Sequence, residues 1–352
     1  MRFAVLLLGF LVLGCTTAPV RDLDPKVRVR TGLRAELEDF TVPGWNRRLG
    51  SLPPVTRSPF VPAAGPAVTQ YREHLAGRGP WDGPIWHQMG TVPLELPGKT
   101  LALGINVFQP AESRGTLLFL HGYMAHAGDF AFTLGWFASR GWTVVTLDLP
   151  GHGTSDGARS DIDDFADYGR AVALWLGWVE KQHWSGPQVL LAHSLGTAAA
   201  LEAFRHPGTP KPDRIVFCSP LLRTTWYPAL WIADQAVGWM FSTTSAQGGW
   251  DGYLDGYAQK VHWFHALGIW LEGLNRQKPL DLPLEIYCGD KDSVVDVGWN
   301  RWMYHRLVPG ARWVSLPGLD HWFLSSSEDR QSFHERLSAE FEGLGSSKSE
   351  LE

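Results

Sequence analysis

Ser194 is the first residue whose setting indicates chemistry, because it lies between an apolar run, Gln188–His193, and a run of small residues, Leu195–Ala200. This order predicts a strand, a sharp turn and a helix, with Ser194 at the apex of the turn. Such a turn leaves little room two positions before and after the serine, where Ala192 and Gly196 stand. The usual pattern is G-x-S-x-G, so Ala192 departs from it by one methyl group. Ser194 is the candidate nucleophile.

A serine hydroxyl is a poor nucleophile at neutral pH and needs a histidine base that a carboxylate orients. Two predicted strand ends downstream of the serine supply these groups. Leu284–Cys288 runs into a loop with Asp290 and Asp292, and Trp313–Leu316 runs into a loop with His321. We assign His321 as the base and Asp292 as the residue that orients it, with Asp290 as the competing carboxylate.

Acyl transfer also needs hydrogen-bond donors for the oxyanion that develops on the substrate. One candidate is the backbone N–H of Leu195, directly after the serine at the start of the predicted helix. The second is expected from the loop after the first core strand, where Gly122 permits a turn and Tyr123 offers its backbone N–H.

An alternation of strands and helices is predicted to position these residues. From about residue 89 a hairpin is followed by alternating apolar strand runs and helices, which implies an α/β fold with a mostly parallel sheet covered on both faces. Asp161–Lys181 is predicted as a helix opened by a capping box of Ser160 and Asp163. The other predicted strands are Val92–Leu96, Leu101–Phe108, Thr116–Leu120, Thr143–Leu149 and Arg214–Cys218, and the other core helices are Asp129–Arg140 and Ser327–Phe341.

Three motifs resemble the monoacylglycerol lipase and lysophospholipase branch of the α/β-hydrolases. They are L-H-G-Y-M-A-H-A-G-D-F at 120–130, D-L-P-G-H-G-T-S-D-G at 148–157 and D-F-A-D-Y at 164–168. The resemblance spans roughly residues 90–340. It implies an eight-stranded sheet, a helical cap between the strands ending near Pro220 and starting near Leu284, and an acid three residues after Gly289, at Asp292. It also implies hydrolysis of a lysophospholipid or monoacylglycerol ester through a covalent acyl-enzyme, without a cofactor.

The composition excludes some function classes. The 352 residues are 44% hydrophobic and carry a formal net charge of −5, which suits one large core and gives no electrostatic reason to expect a nucleic-acid partner.

His126, His152 and His193 do not follow a familiar metal-ligand spacing, so no metal is expected. Cys218 and Cys288 end two strands that should be neighbours. A disulfide between them is possible, but we favour free thiols.

The N-terminus predicts export. Arg2, the apolar run Phe3–Leu13 and Gly14-Cys15 resemble a signal peptide with a bacterial lipobox, after which Cys15 would carry the lipid. The alternative is an ordinary cleaved signal with an incidental cysteine. The favoured interpretation places the protein in the bacterial cell envelope as a membrane-anchored lipoprotein, at the outer membrane or periplasmic face.

The predicted segments are a signal peptide at 1–14, a tether or surface extension at 15–84, the first core part at 85–220, a cap at 221–282, the second core part at 283–344 and a disordered polar tail at 345–352.

The predicted cap is rich in aromatic residues, most of which we expect to pack the cap while a few face the substrate. An aminopeptidase-type serine peptidase on the same fold is the alternative enzyme, and Asp234, Asp251 and Asp255 in the cap leave that alternative open. A non-catalytic interaction protein of the envelope with a decayed site is the alternative from another class. The sequence does not predict the oligomeric state.

Overall fold

The computed structural model describes residues 61–62, 66–96, 98–227, 247–248, 257–258, 261–325 and 330–346. The predicted signal peptide, Cys15, much of the predicted cap and residues 347–352 of the predicted tail lie outside the described residues. Within the described ranges the strands are β1 (Val61–Pro62), β2 (Ile85–Leu96), β3 (Lys99–Pro110), β4 (Gly115–Leu120), β5 (Trp142–Leu147), β6 (Gln188–His193), β7 (Arg214–Cys218), β8 (Gln247–Gly248), β9 (Tyr257–Ala258), β10 (Leu284–Gly289) and β11 (Arg312–Leu316).

Nine of these strands form one sheet in the order β1-β2-β3-β5-β4-β6-β7-β10-β11, and β8 pairs separately with β9. From β5 to β11 the neighbours run parallel. The β2–β3 hairpin is antiparallel, and β3 also pairs antiparallel with β5. The predicted eight-stranded, mostly parallel sheet is therefore confirmed, and the two-residue β1 extends it by pairing with β2.

The central parallel strands read as apolar runs because both of their faces are covered. Every residue of β4 and β5 is buried. The carboxyl ends of β6, β7, β10 and β11 lie at one edge of the sheet, since the strands are parallel neighbours. The loops that follow these four strands therefore meet there.

The helices are α1 (Pro66–Ala76), α2 (Ala131–Ala138), α3 (Ala166–Glu180), α4 (Leu195–Ala203), α5 (Val261–Leu274), α6 (Val297–Leu307) and α7 (Arg330–Ser346), with a 3₁₀ turn at Ala127–Phe130. The capping box predicted at Ser160 and Asp163 was wrong, because α3 begins only at Ala166. Ser160 has a φ of 54°, whereas an N-cap residue needs an extended backbone. Asp164 instead accepts a hydrogen bond from the Ala166 amide at 2.9 Å.

The helices form two layers, one on each face of the sheet. Buried side chains of α3, α4, α5 and α6 form one apolar cluster, and those of α1, α2 and α7 form another. The strands lie between the two clusters and contribute alternate side chains to each. The sheet is therefore buried on both faces, as the sequence predicted.

Helix α1 belongs to the segment 15–84, whose role the sequence left open. Val68, Tyr71 and Leu75 of this helix are buried against the sheet. Arg72, also buried, donates from Nε to His87 Nδ1 and from Nη2 to the His87 carbonyl, each at 3.0 Å. The described part of this segment is thus packed on the core as a surface extension.

None of the helices within the described residues combines the length and the apolar character that crossing a bilayer requires.

Gly289, at the end of β10, allows the loop that carries His321 to cross close to the strand. A Cβ at Gly289 would lie 2.1 Å from the Leu319 carbonyl oxygen. We expect Gly289→Ala to lower the free energy of unfolding by about 1–3 kcal/mol, because backbone must move to admit the methyl group.

Gly310→Ala is the matched control, since no heavy atom lies within 4 Å of the Cβ it would add. Its effect should stay within about 0.5 kcal/mol. Urea unfolding measures both variants, and equal losses would contradict the close approach at Gly289.

Candidate active site

Ser194 occupies a strained turn between β6 and α4. Its φ of 49° and ψ of −115° lie in a region that costs a residue with a side chain about 1–3 kcal/mol. Its amide donates to the Cys218 carbonyl at 3.0 Å, which ties the turn to the end of β7. The turn is tight on one side, since a Cβ at Gly196 would lie 2.7 Å from the His121 carbonyl oxygen. Ala192, where the motif departs from glycine, is a buried residue of β6 whose methyl group the sheet accommodates.

The structure brings Ser194, His321 and Asp292 into one hydrogen-bonded chain. The distance from His321 Nε2 to Ser194 Oγ is 3.1 Å, and the distance from His321 Nδ1 to Asp292 Oδ2 is 2.8 Å. All three residues are buried, with exposed fractions of 6%, 2% and 9% respectively. The competing Asp290 is exposed and accepts from the Gly318 amide at 2.8 Å, so its carboxylate braces the loop before His321.

Asp292 is held as a carboxylate. Burial acts to raise its pKa, but the neighbouring His321 and the amides of Val294 and Val295 outweigh burial, and its pKa lies below the ordinary value. Those two amides donate to Oδ1 at 3.0 and 3.1 Å, which leaves Oδ2 for the histidine. An ionised Asp292 favours the tautomer with a proton on Nδ1 of His321, so the Nε2 lone pair faces the serine hydroxyl.

Both predicted oxyanion residues adjoin Ser194. Leu195 is the first residue of α4, a position whose N–H has no acceptor within its own helix. The loop of Gly122 and Tyr123 passes close to the serine, since a Cβ at Gly122 would lie 3.1 Å from Ser194 Cβ. Backbone amides beside a nucleophile are the groups that stabilise a tetrahedral oxyanion.

The loop of Gly122 and Tyr123 is held in place by neighbouring side chains. The Tyr123 hydroxyl donates to the Ser160 carbonyl at 2.8 Å, and the Tyr123 ring stacks on Trp263 of α5 with centroids 4.0 Å apart. His121 lies 2.7 Å from the Gly122 carbonyl through Nδ1 and accepts from the Leu149 amide through Nε2 at 2.9 Å. The first described helix of the cap region therefore packs directly on the loop beside the serine.

Asp148 holds two neighbouring loops together. Its Oδ1 accepts from the Ala127 amide at 2.9 Å, and its Oδ2 accepts from the amide and the hydroxyl of Thr154, each at 2.9 Å. A carboxylate that already accepts three hydrogen bonds is suited to holding these two loops together.

His193 and Ser219 hold the backbone of the base His321, a role that no motif in the sequence indicated. His193 donates from Nε2 to the His321 carbonyl at 3.0 Å, and the Ser219 hydroxyl donates to the same oxygen at 3.2 Å. Burial, reinforced by the nearby His321, lowers the pKa of His193 to about 3, so it stays neutral beside the base. The sequence signal was their position, since His193 directly precedes the serine and Ser219 directly follows β7.

From the sequence, His193 was considered only as a metal ligand, together with His126 and His152. Within the described ranges of the chain, no group of three or more His, Cys, Asp or Glu side chains is placed to hold a metal ion. Cys218 and Cys288 are free and buried on the neighbouring strands β7 and β10, as favoured above. Cys288 Sγ lies 4.0 Å from Asp292 Oδ2.

The sequence matches the family described as serine aminopeptidase, S33, over residues 111–259. It is similar to the phospholipase YtpA of Bacillus subtilis, with 31% identity over 106 residues that cover 30% of this chain and 40% of that protein. It is also similar to a monoacylglycerol lipase of Mycolicibacterium smegmatis, with 31% identity over 98 residues that cover 28% of this chain and 35% of that protein. The matched segment is thus less than half of either curated relative.

Solved structures show the same fold. A soluble variant of the monoglyceride lipase of Saccharomyces cerevisiae, in complex with a substrate analog, superposes with a TM-score of 0.55 at 16% identity, covering 72% of this chain and 94% of that one. The monoacylglycerol lipase of Paleococcus ferrophilus gives a TM-score of 0.53 at 20% identity, covering 70% and 98%. The fold of this chain is the α/β-hydrolase fold.

Buried neutral histidines should make stability depend on pH. Burial lowers the pKa of His121 and His334 to about 4 and that of His152 and His193 to about 3. The unfolded chain binds protons at these sites below the ordinary value of 6.5, whereas the folded chain does not. Stability should therefore fall as the pH decreases from about 6.5 towards 4, by up to about 1.4 kcal/mol per pH unit for each histidine.

Urea unfolding at pH 7 and at pH 5 measures this effect. His334→Gln, in α7, should reduce the dependence of the free energy of unfolding on pH by about one proton. A free energy of unfolding that stays constant between these pH values would contradict the buried neutral state.

The hydrogen bonds to the His321 carbonyl should control how readily Ser194 reacts. His193→Phe keeps a ring but removes the donor, and we expect it to slow fluorophosphonate labelling of Ser194 about tenfold, because the base is less well placed. His193→Gln, which offers an amide N–H at similar reach, should recover most of the rate, and Ser219→Ala should show a smaller loss.

Thermal unfolding of the same variants separates a positioning effect from a loss of fold. If His193→Gln labels as slowly as His193→Phe in folded protein, or if His193→Phe labels at the wild-type rate, the hydrogen bond does not position the base.

Proposed function

We propose that this chain, which has the α/β-hydrolase fold, is a serine hydrolase that cleaves carboxylic esters of lipids through a covalent acyl-enzyme. The observation that carries the proposal is the buried chain of hydrogen bonds from Asp292 through His321 to Ser194, at the apex of a strained strand–helix turn. A serine, a histidine and a carboxylate in this order form the unit that makes a hydroxyl nucleophilic at neutral pH.

In the first half-reaction, Ser194 Oγ attacks the ester carbonyl carbon while His321 Nε2 takes the hydroxyl proton. The carbonyl oxygen becomes an oxyanion, which accepts hydrogen bonds from the Tyr123 and Leu195 amides, each worth about 3 kcal/mol in the transition state. The bond from carbon to the leaving oxygen then breaks, and His321 passes its proton to the departing alcohol. The acyl group remains on Ser194.

In the second half-reaction, a water molecule gives its proton to His321 and attacks the acyl carbon. The same two amides stabilise the second oxyanion. The bond to Ser194 Oγ breaks, the serine recovers its proton from His321, and the carboxylic acid leaves. Asp292 stabilises the imidazolium in both halves without taking the proton.

The names of the relatives support a lipid ester as substrate. A phospholipase and a monoacylglycerol lipase occur among the sequence relatives, and monoacylglycerol lipases occur among the structural neighbours. Trp263 and Phe264 of α5 pack around Tyr123, which gives the site an aromatic wall on the side of the cap. A lysophospholipid or a monoacylglycerol is the proposed substrate class.

The second candidate is a serine peptidase that removes N-terminal residues. The name of the matched family, serine aminopeptidase, is the observation that favours it. Acidic residues in the cap would bind a free N-terminus, but Asp234, Asp251 and Asp255 lie outside the described residues.

Substitutions within the proposed triad test the mechanism. Ser194→Ala should lower ester hydrolysis about 10⁴-fold or more and abolish fluorophosphonate labelling. Asp292→Asn should cost about 10⁴-fold, because an amide cannot stabilise the imidazolium, whereas the matched control Asp290→Asn should keep most of the activity. Retained labelling of Ser194→Ala, or equal losses in the two aspartate variants, would contradict these roles.

A panel of monoacylglycerols, lysophospholipids and aminoacyl amides distinguishes the two candidate functions. Hydrolysis of the esters that disappears in Ser194→Ala supports the lipid esterase. Hydrolysis of the aminoacyl amides alone supports the peptidase, and no labelling of the wild-type serine supports a non-catalytic protein.

Cys15 is proposed as the site of a lipid anchor in the bacterial cell envelope, on the order of Arg2, the apolar run Phe3–Leu13 and Gly14 before it. A diacylated and N-acylated cysteine anchors a protein stably, whereas one acyl chain is marginal. Mass spectrometry of the mature N-terminus should find acyl masses on Cys15, and Cys15→Ser should remove them. A mature chain that begins after Cys15 without an acyl mass would rule the anchor out.

A further inference from the structure

Helix α6 carries a surface that the proposed catalytic cycle does not use. At about 100° per residue, the exposed residues Arg301, Trp302, His305 and Arg306 span roughly 140° of one side of the helix. Met303, Tyr304 and Leu307 on the other side are buried in the core. These four exposed residues, with the partly exposed Trp299 at their edge, are called the α6 surface.

Exposed tryptophan is the first unusual feature of the α6 surface. Trp302 has an exposed fraction of 57%, and its ring lies 6.1 Å from that of Trp299. The contact of α6 with the core is made by Met303, Tyr304 and Leu307, so Trp302 does not contribute to it. An indole is at its most favourable where apolar and aqueous phases meet, as at the surface of a bilayer.

Positive charge is the second feature. Helix α6 contains Arg301 and Arg306 and no acidic residue, although the whole chain has a formal net charge of −5. In the described part of the chain, no hydrogen bond or ion pair engages the Arg301 side chain. Arg306 reaches the Asn275 carbonyl, which places the exposed Arg276 beside the end of the same surface.

The carboxylate that caps α6 does not cancel this charge. Asp296 caps the start of α6 by accepting from the Trp299 amide at 3.0 Å, and it is already paired with Arg223. The Arg223 guanidinium also lies 4.8 Å from the Trp299 ring centroid. The α6 surface is thus cationic along its length, with tryptophan at its edge and centre.

The α6 surface adjoins the rim of the candidate active site. Helix α6 begins five residues after Asp292, and the segment that links them pairs with the start of the cap region through the Thr224–Val295 bridge. Trp226, two residues beyond that bridge, has an exposed fraction of 58%. A second exposed indole therefore lies close in the chain to the segment that pairs with the loop carrying the acid.

We propose that the α6 surface docks on a bilayer that contains anionic phospholipid. Arg301 and Arg306 contact the lipid phosphates, and Trp302 inserts its indole at the level of the headgroups, with Trp226 as a second contact near the site. Each basic residue close to an anionic bilayer adds to the attraction, and the attraction weakens as salt screens it. Docking in this orientation brings the rim of the active site to the membrane independently of any anchor at the N-terminus.

The test follows the environment of residue 302 itself, so an anchor elsewhere does not contribute. A solvent-sensitive fluorophore is attached at Trp302→Cys in the full chain with Cys15→Ser and Ser194→Ala. Cys15→Ser removes the cysteine that lies outside the described residues, and Ser194→Ala prevents hydrolysis, while Cys218 and Cys288 are buried. Glu335→Cys, exposed on α7 at the opposite face of the sheet, is the matched control position.

Vesicles of phosphatidylcholine with phosphatidylglycerol should shift the emission at position 302 to shorter wavelength, and vesicles of phosphatidylcholine alone should shift it much less. High salt should reverse the shift. The label at position 335 should not respond. Equal responses at the two positions, or no response at 302 on the anionic vesicles, would overturn the proposal.

Charge reversal distinguishes docking through the α6 surface from a general electrostatic attraction of the protein to the bilayer. Arg301→Glu should raise the lipid concentration needed for half of the emission shift at position 302 about tenfold, because it changes the local charge by two units. Arg78→Glu makes the same change in the other helical layer and should leave the midpoint unchanged. Equal effects of the two substitutions would contradict docking through α6.

The emission shift at position 302 does not depend on the proposed function, because the vesicle assay uses the Ser194→Ala chain. With Ser194 intact, Arg301→Glu should hydrolyse a short soluble ester at the wild-type rate and lose hydrolysis only of substrate presented in anionic vesicles. A loss on the soluble ester would instead show that Arg301 acts on the catalytic site, and would contradict a role limited to docking.

Discussion

The contact of His321 with both Ser194 and Asp292 is the interaction on which the rest of the structure depends. The three residues are far apart in the chain, and only the parallel sheet brings their loops to one edge. Each neighbouring feature limits how the histidine can move. Gly289 admits the loop before it, Asp290 braces that loop, and His193 and Ser219 hold its carbonyl oxygen. The strained turn at Ser194 is maintained by the same packed strand ends, which is how a fold supports a conformation that is locally unfavourable.

The sequence predicted the parts of this arrangement that have strong local signals. The apolar runs of the parallel strands and the small residues around Ser194 were enough for the sheet, the turn and the choice of serine and histidine, and they limited the carboxylate to Asp290 or Asp292. The choice of Asp292 over Asp290 needed a resemblance to known proteins, since both residues follow the same strand. In the structure only Asp292 accepts the Val294 and Val295 amides and reaches the histidine.

Other features depend on tertiary contacts that leave no periodic signal. The start of α3 moved from Asp161 to Ala166 because Ser160 adopts a left-handed backbone and offers its carbonyl to Tyr123, which is distant in sequence. The contacts of His193 and Ser219 with the His321 carbonyl join three separate strand ends, so no spacing along the chain could indicate them. The packing of α1 on the sheet rests on a buried pairing of Arg72 with His87, and a proline-rich segment gives little indication of such a partner.

The central claim is that Ser194 forms a covalent acyl-enzyme, and the most direct measurement is mass spectrometry of the protein quenched in acid during turnover of an activated fatty-acyl ester. The account predicts that the intact chain gains the mass of the acyl group. After proteolysis, that mass should lie on the peptide that contains Ser194, and it should disappear as the ester is exhausted. Turnover with no acyl adduct at any time, or an adduct on another residue, would contradict the account.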